Sequence, residues 1–175
     1  MSPAHRRYLL IEQGVGSAVV NFAINAAIAW LMFRRQDVVP LWGQQSIAGD
    51  TIGTCLILPI VTCLIVTPVA RGHVRKGRVT PLGWRRDSHR VLGWLPASTF
   101  LRGFVLGLLC MVALSPLTLF VLTLLHVADL SLWEFVVFKA SFAAFAGALV
   151  TPVVAMWAIA EEPDLRVARA PGAPS

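Results

Sequence analysis

Four stretches of the chain contain no Asp, Glu, Lys or Arg over about the thickness of a lipid bilayer. They are residues 13–33, 51–70, 103–125 and 140–160. A helix needs roughly 20 apolar residues to cross the hydrocarbon core. Lipid cannot satisfy backbone N–H and C=O groups, so each of these segments has to be helical. The sequence therefore predicts an all-α integral membrane protein with four transmembrane helices.

The composition agrees with this class and excludes others. Apolar residues make up 57% of the 175 residues, charged residues make up 14%, and the mean hydropathy is +0.72. A soluble domain carries about 25% charged residues, and a disordered chain needs low hydrophobicity. Three cysteines are too few for a disulfide scaffold of this length. The net charge of +6 is assigned to membrane topology, and no nucleic-acid partner is expected.

We expect a single four-helix domain over residues 1–175, with helices at about 9–33, 46–70, 101–125 and 134–160. A cytoplasmic loop at 71–100 and a disordered tail at 161–175 complete it. Within the loop, residues 82–95 place basic side chains on one side and aromatic and aliphatic side chains on the other. This pattern predicts an interfacial amphipathic helix on the membrane surface. A docking surface for a cytoplasmic protein is the alternative.

The distribution of Lys and Arg predicts the orientation of the four helices. Twelve of these residues lie in the N-terminal segment, in the tail, or between residues 71 and 102, and only Arg34 and Arg35 lie in the other two connections. Basic residues are enriched on the cytoplasmic side, so both termini are predicted to be cytoplasmic. Arginine greatly outnumbers lysine, which favours a GC-rich bacterial source and hence the bacterial inner (cytoplasmic) membrane.

The two halves of the chain resemble each other. A Leu-Trp pair at 41–42 recurs at 132–133, and Gly16 and Gly107 are separated by the same 91 positions. Each half has two spans, so the repeats are related in parallel rather than inverted. This predicts two tandem hairpins. The alternative is a pair of unrelated hairpins that both carry interfacial tryptophans.

Asp50 and Lys139 are ionisable residues inside the predicted second and fourth spans. Each lies a few residues after a tryptophan that marks the outer interface, at depths of roughly 12 Å and 9 Å for a helical rise of 1.5 Å per residue. Burying either charge alone is costly, so an ion pair between the two helices is expected. Thr54, one turn farther along, is expected to add a hydroxyl. The pair either fixes helix register or belongs to a substrate or ion pathway.

Small and polar residues are concentrated on the first and third helices. On the first helix, Asn21 and Asn25 share a stripe with Gly14 and Ser17. Such a stripe predicts a helix–helix seam or, alternatively, a polar pathway through Asn21 and Asn25. On the third helix, the spacing of Gly103 and Gly107 is typical of close helix packing.

Two classes of function agree with these residues. The first is a permease or channel-like transporter that acts as a homo-oligomer, because four helices of one chain enclose little volume. The second is a non-transporting accessory or assembly protein with an unidentified membrane or cytoplasmic partner. No set of acid, base and nucleophile indicates an enzyme, and no motif indicates a metal or another cofactor. The lipid bilayer is the one partner that the composition requires.

Overall fold

The computed structural model describes residues 13–79, 96 and 98–161. It contains four long helices and two short strands in these residues. The helices are α1 (Gly16–Phe33), α2 (Ile47–Arg75), α3 (Thr99–Leu124) and α4 (Leu132–Glu161), and the strands are β1 (Val38–Pro40) and β2 (Asp129–Ser131). All four helices are long and apolar enough to span a membrane. The mostly helical fold predicted from the sequence, with four helices that could span a membrane, is therefore confirmed.

Polar side chains fix the starts of α2 and α4. The Ser46 hydroxyl accepts a hydrogen bond from the Gly49 backbone N–H (3.2 Å) and caps α2. At α4, the Glu134 carboxylate accepts bonds from the Ser131 backbone N–H (2.8 Å) and hydroxyl (2.6 Å). This carboxylate and hydroxyl at a three-residue spacing form a capping box, so Glu134 has a local structural role.

Two helix ends differ from the expected bounds. Helix α2 continues to Arg75, past the expected end at 70, and α3 begins at Thr99. Arg71, which the expected bounds place in the loop, therefore belongs to α2. The expected amphipathic helix at 82–95 and the tail beyond Glu161 lie outside the described residues.

The helices pack in the order α1, α4, α2, α3 rather than in chain order. Helix α4 packs against both α1 and α2, and α2 packs on its other side against α3. Consecutive helices have few backbone positions close together: α1 diverges from α2, and α3 meets α4 through side chains such as Arg102 and Trp157. Helix α4 is accordingly the most buried of the four. The divergence of α1 and α2 creates the space described below.

Strands β1 and β2 tie the two halves together at one end of the bundle, called the strand end from here on. They pair antiparallel, with Val38 opposite Ser131, Val39 opposite Leu130 and Pro40 opposite Asp129. Beneath them lies a cluster of buried apolar residues in which the Phe33 and Phe135 rings are 4.6 Å apart. The connections after α1 and after α3 therefore lie on the same side of the bundle.

Two glycines allow α3 to approach α2 closely. A Cβ atom on Gly103 would lie 2.7 Å from the Ile60 Cα, and one on Gly107 would lie 2.6 Å from the Leu56 carbonyl oxygen. Side chains of any size would separate the helices at both points. The two residues assigned to helix packing from their spacing thus lie in the α2–α3 seam.

Candidate functional site

A groove runs between α1 and α2 over the surface of α4 and is open on one flank. Its volume is about 630 Å³. The floor is formed by Lys139 and Thr151 of α4. The polar residues on its two walls are Gln13, Ser17, Asn21, Asn25, Gln45, Ser46, Asp50, Thr54 and Thr62.

The structure brings Asp50 and Lys139 into contact within this groove. The Lys139 ammonium donates to Asp50 Oδ1, and the two side chains are 5% and 10% exposed, respectively. Asp50 lies in the first turn of α2, where the helix dipole stabilises a carboxylate. The pair is therefore a nearly buried ion pair that joins α2 to α4, and its charges meet at the groove surface.

The polar stripe of α1 faces both α4 and the groove. Ser17 Oγ and Thr151 Oγ1 are 2.6 Å apart and hydrogen-bonded across the seam. Asn21 Nδ2 donates to the Ser17 carbonyl (2.9 Å), and Asn25 Nδ2 donates to the Asn21 carbonyl (3.0 Å). Both amides keep their carbonyl oxygens for other donors. The helix–helix seam and the polar pathway were expected as alternatives for this stripe of α1. In the structure the same stripe lines both the α1–α4 seam and the groove.

Gly147 of α4 permits the close approach of α1. A Cβ atom there would lie 2.5 Å from Asn21 Nδ2 and 3.1 Å from Ser17 Oγ. Gly14, also assigned to packing from the sequence, is buried just before α1. The α1–α4 seam thus consists of hydrogen bonds around Gly147. In the α2–α3 seam, Gly103 and Gly107 lie directly against the backbone of α2.

The polar groups form a line along the length of the groove. From the strand end, the line passes Gln45 and Ser46, the Asp50–Lys139 pair, Thr54 one turn farther along α2, and then the residues of α1 down to Gln13. Beside it lie apolar side chains that include Ile28, Met32, Ile57, Val61 and Ile65. The polar line can therefore hydrogen-bond a polar group, while the apolar surface beside it accepts hydrocarbon.

A second, smaller pocket adjoins the groove at the strand end. It has a volume of about 350 Å³ and is lined by Arg34, Arg35 and Gln36 together with Leu31, and it shares Met32 and Gln45 with the groove. The Gln36 side chain donates to Gln45 Oε1 at the boundary. Arg34 lies over the Trp30 ring at 5.6 Å. Two cationic side chains therefore border the mouth of an otherwise largely apolar groove.

Arg102 is a buried charge whose contacts the sequence did not predict. The distribution of Lys and Arg counts it only among the basic residues on the cytoplasmic side. The structure buries it to 1% exposure, 3.9 Å above the Trp157 ring, with its guanidinium donating to the Pro96 carbonyl. Arg102 and Trp157 are far apart in the sequence, so no local sequence pattern could predict their contact. Its contacts give it a structural role between α3 and α4.

Cysteine and metal chemistry find little support in the described part of the chain. Cys55, Cys63 and Cys110 are free thiols, the first two buried. Among residues 13–79 and 98–161, no three His, Cys, Asp or Glu side chains cluster in a way that would hold a metal ion. The charge pair and the α1 amides thus remain the candidate functional groups.

Comparisons with known proteins find no match to a family model, a curated protein or a solved structure.

Proposed function

We propose that the chain is a small permease or channel-like transporter of the bacterial inner membrane, without enzymatic activity or a cofactor. The observation that carries this proposal is the polar line in the groove between α1 and α2. Polar and charged groups inside a membrane are costly and mark pathways more often than lipid-facing surfaces. Here they follow the helices from the strand end to Gln13 and include the Asp50–Lys139 pair.

The proposed orientation places the strand end outside the cell and both termini in the cytoplasm. The distribution of Lys and Arg supports it, because twelve of these residues then lie at the cytoplasmic side of the bundle. Trp42 and Trp133, both well exposed at the strand end, would lie at the outer interface, where tryptophan is enriched.

We also propose that the chain consists of two tandem hairpins related by duplication. The strand register supports this, because Val39 pairs with Leu130, the residue 91 positions later. The same shift maps the Val38–Ser131 pair onto the Pro40–Asp129 pair. It also maps the packing of α1 on α4 onto that of α3 on α2. A two-fold axis along the membrane normal would produce these relationships.

The open flank of the groove favours a homo-oligomer if the solute is water-soluble. Such a solute would otherwise meet lipid along one side of its pathway. A second copy against the flank would complete the polar enclosure that four helices of one chain leave open.

Cysteine accessibility tests the pathway without knowledge of the solute. In a background with the three native cysteines replaced by alanine, single cysteines at Asn25 and Thr54 are treated with a charged methanethiosulfonate. Thr54 lies about 12 Å along α2 from Ser46, so reaction there requires water deep in the groove. We expect both positions to react. Val112→Cys, on an exposed face of α3 (70%), is the control that faces lipid and stays unreactive.

Protection of Asn25→Cys and Thr54→Cys to the same extent as Val112→Cys would reject the permease. It would favour the non-transporting accessory or assembly protein. One observation already fits that alternative: the Asp50–Lys139 pair and the α1 amides have partners within the chain. A purely structural role would need no more than these contacts.

A further inference from the structure

We propose that the groove and its mouth form a binding site for an anionic membrane lipid. Its headgroup would lie in the pocket of Arg34 and Arg35, and one acyl chain would lie between α1 and α2. This inference rests on the groove of the proposed function and names a ligand class for it. It does not require that the ligand be transported.

The first argument is the position of the two arginines. Arg34 and Arg35 are the two basic residues that run against the charge bias of the chain, because they lie at the strand end. Topology therefore gives no reason for them. Both border the pocket at the groove mouth, where guanidinium groups match the oxygen atoms of a phosphate in charge and geometry.

The second argument is the electrostatic surroundings of this pocket. Asp37, the nearest acidic residue in sequence, is not among its lining residues. The Asp37 backbone carbonyl instead accepts a hydrogen bond from the Leu132 N–H (3.1 Å), beside the strand pair. Gln36 and Gln45 add neutral amides. The pocket thus offers two positive charges with neutral hydrogen-bonding groups, which suits a phosphodiester.

The third argument is the continuity of the pocket with an apolar channel. Met32 and Gln45 line both spaces, so a molecule can extend from one into the other. Beyond them the groove presents Ile28 of α1 and Ile57 and Val61 of α2. From Ser46 to Ile57, α2 rises about 16 Å, close to half of the 30 Å hydrocarbon core. The apolar wall is therefore about as deep as one leaflet.

The fourth argument is the open flank itself. A lipid with one chain in the groove keeps its other chain in the bilayer through this opening. The open flank is then part of the site, and no second copy is needed to close it. Gly53 leaves room for the chain, because a Cβ atom there would meet nothing within 4 Å.

Native mass spectrometry of the full chain in detergent, with phosphatidylglycerol or phosphatidylcholine added, tests the site. We expect wild-type protein to retain phosphatidylglycerol preferentially. The double variant Arg34→Gln/Arg35→Gln should lose at least tenfold in affinity and lose the preference. Lys76→Gln/Arg78→Gln, which removes two exposed charges at the other end, should bind as the wild type does.

A second pair of variants tests the acyl-chain site. Gly53→Leu places a side chain in the groove and should reduce retention of both lipids. Gly72→Leu is the control, since a Cβ atom there also meets nothing within 4 Å and the residue does not line the groove. Removing charge at Arg34 and Arg35 leaves the positive-inside bias intact, so inverted topology would not account for a loss.

Equal retention of both lipids by the wild type, or unchanged preference in Arg34→Gln/Arg35→Gln, would overturn the inference. So would a dimer that Gly53→Leu dissociates without any change in bound lipid, since a second copy would then occupy the groove. Failure here leaves the cysteine accessibility of Asn25 and Thr54 untouched. Protected cysteines combined with selective lipid binding would instead reject the permease and retain the lipid site.

Discussion

Lys139 of α4 donates a hydrogen bond to Asp50 of α2 across the central seam of the bundle, and both side chains are nearly buried. Each charge is thereby the main compensation for burying the other. Losing one partner of a buried pair typically costs about 3–5 kcal/mol, because the remaining charge is left uncompensated.

The first prediction concerns this pair. Asp50→Asn and Lys139→Gln should each lower the thermal unfolding temperature in detergent, and the double variant should lose less than the two single losses combined. The charge-reversed protein, Asp50→Lys/Lys139→Asp, should recover part of the stability lost in either single reversal. Losses that simply add would show that the two side chains do not interact. A gain on neutralisation would mean that the charges are retained for a ligand at a cost in stability.

The second prediction concerns the α1–α4 seam. Gly147→Ala should destabilise the protein by about 1–3 kcal/mol, the usual cost of overpacking, because its Cβ would lie 2.5 Å from Asn21 Nδ2. Helix propensity alone would give the opposite sign. Shortening the opposing side chain in Asn21→Ala/Gly147→Ala should restore part of the stability. The measurement is the thermal unfolding temperature of Gly147→Ala, Asn21→Ala and the double variant. If the double variant recovers no stability, the added Cβ does not clash with Asn21.

The third prediction compares Gly107 with Gly147 and with Gly16, which lies 91 positions before Gly107. Gly107→Ala should cost more than Gly147→Ala, since its Cβ would meet the Leu56 backbone at 2.6 Å and backbone cannot rotate away. Gly16→Ala should be neutral or stabilising, because its Cβ would meet nothing within 4 Å. Equal effects of the Gly16 and Gly107 substitutions on unfolding temperature would contradict the different packing of the two outer helices.

The fourth prediction concerns Arg102. Arg102→Lys should retain the charge yet lose about 2 kcal/mol, because an ammonium stacks less well on Trp157 and cannot present the same fork to the Pro96 carbonyl. Trp157→Leu should cost a similar amount, and adding Arg102→Lys to it should cost little more. If the stability losses of Arg102→Lys and Trp157→Leu are fully additive in a double-mutant cycle, stacking of Arg102 on Trp157 does not account for them.

The fifth prediction concerns orientation. In intact cells, with the native cysteines replaced, Ser131→Cys at the strand end should react with an impermeant thiol reagent. Arg78→Cys, beyond the other end of α2, should react only after the membrane is made permeable. The reverse pattern would invert the proposed topology.

Sequence reasoning reached the features that depend on one helix at a time. The length of the segments without charged residues was enough to predict the spans. The similar depth of Asp50 and Lys139 in the membrane was enough to pair them. Of the packing order, sequence reasoning reached only the contact between α2 and α4, because apolar faces turned to lipid and to neighbouring helices have the same composition. The divergence of α1 from α2, the buried stack of Arg102 on Trp157 and the place of Gly147 beneath Asn21 all follow from that order.

The packing of the first helix on the last has a consequence for biosynthesis. Helix α1 ends at Phe33, and its main partner α4 begins at Leu132. At about 5–20 residues per second of translation, roughly 5–20 seconds separate the two. During that interval Ser17 lacks Thr151, and the amides of α1 face lipid or the insertion machinery. A chain whose synthesis stops before α4 would thus leave the polar stripe of α1 without its partner in the membrane.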